Sequence, residues 1–200
     1  SSTNIIFRNN EMAAVTVAVP GTAPSSVHMV SLGSAIISVG GIFVEDSNMR
    51  GFSASGNVQS VVATYFSGTV GASSISVAGL DARDLSLSLT HATAGIFWPI
   101  YLLSSTVTLT GATKAITVSN VWVGGTYSYT GTTYCGVRVL RVDGTLSSVD
   151  SVSVTNCVID FSTGTGLGTT AANAHARAFI AEFIVSQSSI QSLVFSNNII

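Results

Sequence analysis

The chain has 200 residues, of which 8% are charged and 46% hydrophobic, with a formal net charge of −2 and a mean hydropathy of +0.56. Charge this sparse excludes the basic footprint that nucleic acid requires, and the wealth of Val, Ile and Thr excludes intrinsic disorder. The longest apolar run, residues 96–103 with Pro99 inside it, is too short for a bilayer span of about 20 residues.

In chain order, six segments align without gaps: IIFRNNEM from Ile5, IFVEDSNM from Ile42, LDARDLSL from Leu80, ITVSNVWV from Ile116, VSVTNCVI from Val152 and LVFSNNII from Leu193. Each places Asn or Asp at the same point: Asn9, Asp46, Asp84, Asn120, Asn156 and Asn197. The copies recur every 36–41 residues, a period that marks a repeat architecture. Each motif is followed by a Gly/Ser/Thr-rich stretch and then by a second alternating run, such as VVATYF from Val61 or VRVLRV from Val137. A Ser/Gly turn leads into a third run that feeds the next motif. Period-2 alternation of Val, Ile and Phe argues strands. One stretch, TTAANAHARAFIAEFI from Thr169, is rich enough in Ala to compete as a helix; its repeat position assigns the second half to a strand.

Three strands and one polar corner per repeat describe a solenoid. A single coil cannot cover its own apolar face, whereas stacked coils share one core. The expected fold is therefore all-β: a parallel β-helix of about five coils over residues 1–200, right-handed by the crossover rule. The chain ends within an apolar alternation, LVFSNNII, so it is expected to be a segment of a longer repeat protein without end caps. Unpaired strand edges of that kind associate, and end-to-end self-association is expected.

At the corners, Asn and Asp tolerate the left-handed backbone that a tight bend imposes. Stacked amides can also bond from coil to coil. If they are buried, Asn120→Ala and Asn156→Ala are each expected to cost roughly 1–3 kcal/mol.

Catalytic candidates are few. A glycosidase needs two carboxylates about 5–9.5 Å apart, and only Glu45/Asp46 with Asp81/Asp84 come near that in adjacent coils. Glu45 and Arg83 share a repeat position and are expected to pair on the surface. His28, His91 and His175 occupy unrelated positions, so no metal site and no cofactor are expected. Cys135 and Cys157 lack metal or redox spacing, which leaves a single bridge and two free thiols both open. The GTGLG at Gly164 lacks the GK[ST] ending of a phosphate loop and reads as a coil-to-coil loop. Tyr127, Tyr129 and Tyr134 fall in a Gly/Thr-rich stretch and are the candidate loop contacts, since Tyr/Ser/Gly loops bind protein and glycan surfaces. No N-x-[ST] acceptor occurs.

The combination of GVRVLRVDG, TLSSVDS, SVSVTN and SLVFSNN with variable Gly/Ser/Thr loops resembles the trypanosomal dispersed gene family, over the whole chain and best from residue 100 onward. These are very large surface proteins similar in pattern to pectin-lyase-like β-helices, with membrane-spanning segments toward the C-terminus. The resemblance implies a non-enzymatic structural and interaction segment, displayed at the cell surface or secreted and attached to the membrane only outside this window. Its implied partner is a host protein or glycan surface, in adhesion. The family transfers no catalytic residue. The competing reading is a fragment of a β-helical polysaccharide lyase or glycosidase.

Overall fold

The computed structural model describes residues 3–22, 25–33, 36–90, 94–109, 114–131, 134–147, 149–161, 167–169, 175–185 and 190–200. These residues contain no helix, and fourteen strands join one parallel sheet wound into a β-solenoid, the fold class expected from the repeat.

Among the described residues the coils stack in at least four runs, against the three expected. The first run stacks Ile5, Ile42, Ile75, Ile116, Val152 and Leu193 in one row. A short second run stacks Glu11, Asn48, Asp81, Trp122, Val158 and Ile199. A third stacks Thr16, Ser53, Ser86 and Thr126. The fourth stacks Val27, Val61, Phe97, Val137 and Ala178. The stack amounts to about four turns, against the about five expected; the end strands Ile5–Arg8 and Ile190–Ser196 each pair on one side only.

The third rung of the first run begins at Ile75, not at Leu80. Ile42 and Ile75 are 33 residues apart and Ile75 and Ile116 are 41 apart, so coil length varies more than the sequence alignment implied. The long strand Val58–Leu89 pairs with Ala115–Tyr129 along its second half, with a register shift between Ala82 and Leu85. The strand His175–Val185 occupies the second half of the Ala-rich stretch and pairs with Tyr134–Ser147; residues 170–174 lie outside the described residues.

The core is the set of inward rows. Ile42, Val44, Ile75, Val77, Ile116, Val118, Val152 and Val154 are all buried, and Met49, Leu80, Val121, Val123, Cys157 and Ile159 continue the core past the first corner. Burial of alternate residues against the coils above and below is the main stabilising term. At the last rung the equivalent positions Leu193 and Phe195 are 53% and 47% exposed, because no coil lies on their far side.

Candidate functional site

All six corner residues singled out in the sequence have left-handed backbone: φ is 53° at Asn9, 51° at Asp46, 58° at Asp84, 54° at Asn120, 54° at Asn156 and 55° at Asn197. They do not form one column. Glu45 pairs with Ala78 and Ala78 with Ser119, so the residue between Asp46 and Asn120 is Gly79, with φ 72°. Asp84 belongs to a second corner five residues further on, where Ala14, Gly51 and Asp84 have φ of 53°, 68° and 58°. Glycine enters this conformation without a Cβ penalty, so a search for Asn or Asp passes over it.

The ladder also works differently from expectation. The corner side chains are exposed; Asp84 accepts from Arg50 of the preceding coil, but among the described residues the Asn9, Asp46, Asn120, Asn156 and Asn197 side chains make no rung-to-rung hydrogen bond. Their backbone does: the Asn9 N–H donates to Glu45 O at 3.1 Å, and the Asn156 N–H to Ser196 O at 3.1 Å. Bonds between coils come from the next residue along. Asn10 Nδ2 donates to Ser47 Oγ at 3.0 Å, and Asn198 Nδ2 donates to Val154 O at 2.8 Å.

The flank between the two corners carries most of the charge of the first three coils. Glu45 accepts from Arg8, one coil earlier, at 2.5 Å. The expected Glu45–Arg83 pair is absent, because the register sets Glu45 against Ala78. Arg83 instead turns onto Asp81 of its own coil, with Nε to Oδ1 at 2.9 Å and Nη2 to Oδ2 at 2.6 Å. These side-chain bonds from Arg83 hold the Asp81 carboxyl below the usual carboxylate range. Arg50 Nε donates to Asp84 Oδ2 at 2.7 Å. Asp81 and Asp84 are thus each engaged by an arginine.

The feature that sequence reasoning missed is Trp122. It follows Asp81 in the outward row and is 43% exposed, between the fully buried Val121 and Val123. The alternation in VWV after Asn120 carries that signal. The Arg83 guanidinium lies over its ring, 4.5 Å from the centroid, within cation–π range. A notch of about 220 Å³ opens beside it, lined by Gly79, Leu80, Asp81, Arg83, Asn120 and Trp122. A larger hollow of about 500 Å³ lies on the other side, against Val158, Phe161 and Ile199.

The expected loop tyrosines lie elsewhere. Tyr127 and Tyr129 are fully buried core residues of the strand Ala115–Tyr129, and Tyr127 meets Phe161 edge-on with centroids 6.3 Å apart. They alternate with Thr126 and Ser128, so a composition that reads as loop is a strand with two large inward residues. The side chain of Tyr134 lies outside the described residues.

A second polar cluster sits on the fourth run. Arg138 is 1% exposed, pairs with Glu182 of the next coil and lies 5.3 Å from the Phe179 ring centroid. Glu182 also accepts from Arg141 Nη1 at 2.6 Å, and Arg141 holds Asp143 at 2.9 Å. His28 stacks on Tyr65 with centroids 4.3 Å apart, and burial lowers its pKa. His91 and the side chains of His175 and Cys135 lie outside the described residues. Cys157 is a free, buried thiol whose pKa burial pushes up.

Among the described residues no three His, Cys, Asp or Glu side chains come together as a metal site, and no helix is long and apolar enough to cross a membrane. No family model, curated protein or solved structure matches the chain.

Proposed function

We propose that the chain is a structural and interaction segment of a large cell-surface β-helix protein that contributes to adhesion on a host protein or glycan surface, without catalysis of its own. The observation that carries this reading is the use of the carboxylates. Glu45, Asp81 and Asp84, three of the four candidate acids for a glycan-cleaving site, each hold an arginine on an open flank. Carboxylates held by arginines in this way are less available for proton transfer to a bound sugar. The hydroxyl-rich outer rows and the exposed Trp122 suit contact with a polar surface.

The test is direct. Fluorescently labelled chain is applied to cultured mammalian cells and to immobilised extracellular matrix, and in parallel the protein is incubated with polysaccharides and assayed for new ends. Saturable binding without cleavage is the expected result. Cleavage that disappears in Asp81→Asn or Asp84→Asn overturns the proposal and makes this flank the active site of a lyase or glycosidase.

A further inference from the structure

We infer that the notch at Gly79, walled by Trp122, is a subsite for one ring of a neutral saccharide; the inference rests on the interaction reading above and gives it a location. The notch arises from a gap in the corner column. Asp46 and Asn120 each place a side chain at this corner, and Gly79 between them places none. The hollow that remains, about 220 Å³, is small for a drug-sized ligand but suits a single ring.

The wall is prepared in advance. Asp81 clamps Arg83 by two side-chain bonds of 2.9 and 2.6 Å, and Arg83 lies over the Trp122 ring at 4.5 Å. An indole held this way loses little side-chain entropy when a ligand arrives. The groups around the notch match a polyol: the Asn120 amide both donates and accepts, the Asp81 carboxylate accepts, and the Arg83 guanidinium has five N–H donors of which Asp81 takes two. Arg83 covers one face of the indole, and the ring adds an apolar wall to the notch. Charge sets the class of sugar. Asp81 and Arg83 cancel, and Asp84 beside them already holds Arg50, so nothing there favours an acidic glycan.

Two substitutions test the site without disturbing the core. Trp122→Ala removes an exposed wall. Gly79→Asn fills the notch with the residue used at the next corner, Asn120; Asn accepts a φ of 72°, and its Cβ meets the Asp46 Oδ1 at 2.8 Å, the end of an exposed side chain, and the Asp46 backbone at the ordinary contact distances of 3.4 and 3.5 Å. Cellohexaose, chitohexaose, mannohexaose and, as the anionic arm, polygalacturonate are titrated into the full chain up to about 10 mM, with heat and indole fluorescence as readouts. Expected is binding of at least one neutral hexasaccharide, weakened at least about tenfold by both substitutions in proteins with parental circular dichroism. Should Gly79→Asn fail to fold, Trp122→Ala decides alone. No binding of any neutral hexasaccharide, binding of polygalacturonate only, or binding that survives either folded variant overturns the inference. Binding of the chain to cells that survives both variants removes this subsite and leaves the adhesive proposal standing.

Discussion

Replacing Asn156 separates two accounts of the corner column. The first lets the side chain do the work, through amides bonded from coil to coil. The second assigns the effect to the backbone: φ is 54°, the side chain is exposed, and the inter-coil bond is made by the Asn156 N–H. An L-residue with a Cβ pays about 1–2 kcal/mol in the left-handed region, and Asn pays less because it bonds locally. Asn156→Ala is therefore expected to cost about 1 kcal/mol. In Asn156→Gly the relief of the Cβ clash offsets the roughly 0.5–1 kcal/mol of extra unfolded-state freedom, so that variant should be close to neutral. Ala14 offers the reverse experiment. It sits at φ 53° with a Cβ and without a side chain that can bond locally, so Ala14→Gly should stabilise by a few tenths to about 1 kcal/mol. Urea melts at unchanged m-value read these differences, and 1 kcal/mol corresponds to roughly 2–4 °C in Tm at this size. If Asn156→Gly loses as much as Asn156→Ala, or if Ala14→Gly destabilises, the backbone account is refuted.

Three further outcomes are expected. Glu182→Ala leaves the buried Arg138 without its carboxylate and should cost about 3 kcal/mol, whereas Glu45→Ala, which frees the exposed Arg8, should leave the urea midpoint unchanged; equal losses would show that burial does not set the value of these pairs. His28 has a pKa lowered from 6.5 by burial, so the fold disfavours the protonated ring. Its contribution is complete above the unfolded value and is lost as pH falls through the folded one. The urea midpoint should drop as pH falls below the ordinary value of 6.5, and His28→Phe should flatten that part of the curve; an unchanged slope in the variant counts against it. Cys157 is buried with a raised pKa, so in a Cys135→Ser background a thiol reagent should modify it only after unfolding, and rapid labelling of native protein would place it at the surface.

The fold was legible because the Asn motif and the period-2 alternation are both local signals, and five of the six aligned segments fall on true rungs of the first run. The segment from Leu80 failed for a physical reason: Gly79 and Asp46 satisfy the same backbone requirement with different chemistry, while Asp84 satisfies it at another corner. The site was less legible. Trp122 needed only its place in the alternation, Val121 and Val123 being inward. The notch beside it depends on which residue of another coil lies opposite, and that register is fixed by coil lengths of 33 and 41 residues that the sequence does not announce. Tyr127 and Tyr129 were hidden by composition: Gly, Thr and Ser around them read as a loop, while burial of both rings makes the segment a strand.

The parallel pairing between coils has a mechanical consequence. Among the described residues every strand pairing joins one coil to the next, so the bonds lie along the stacking axis, and a pull along that axis loads one rung at a time. Releasing the coil between Ile42 and Ile75 frees 33 residues, and the next frees 41. At about 3.3–3.6 Å per residue each step lengthens the chain by roughly 110–150 Å, in place of a rung of about 4.8 Å. Under tension such a stack pays out in unequal steps, coil by coil, and takes up load as extension before its last rung parts.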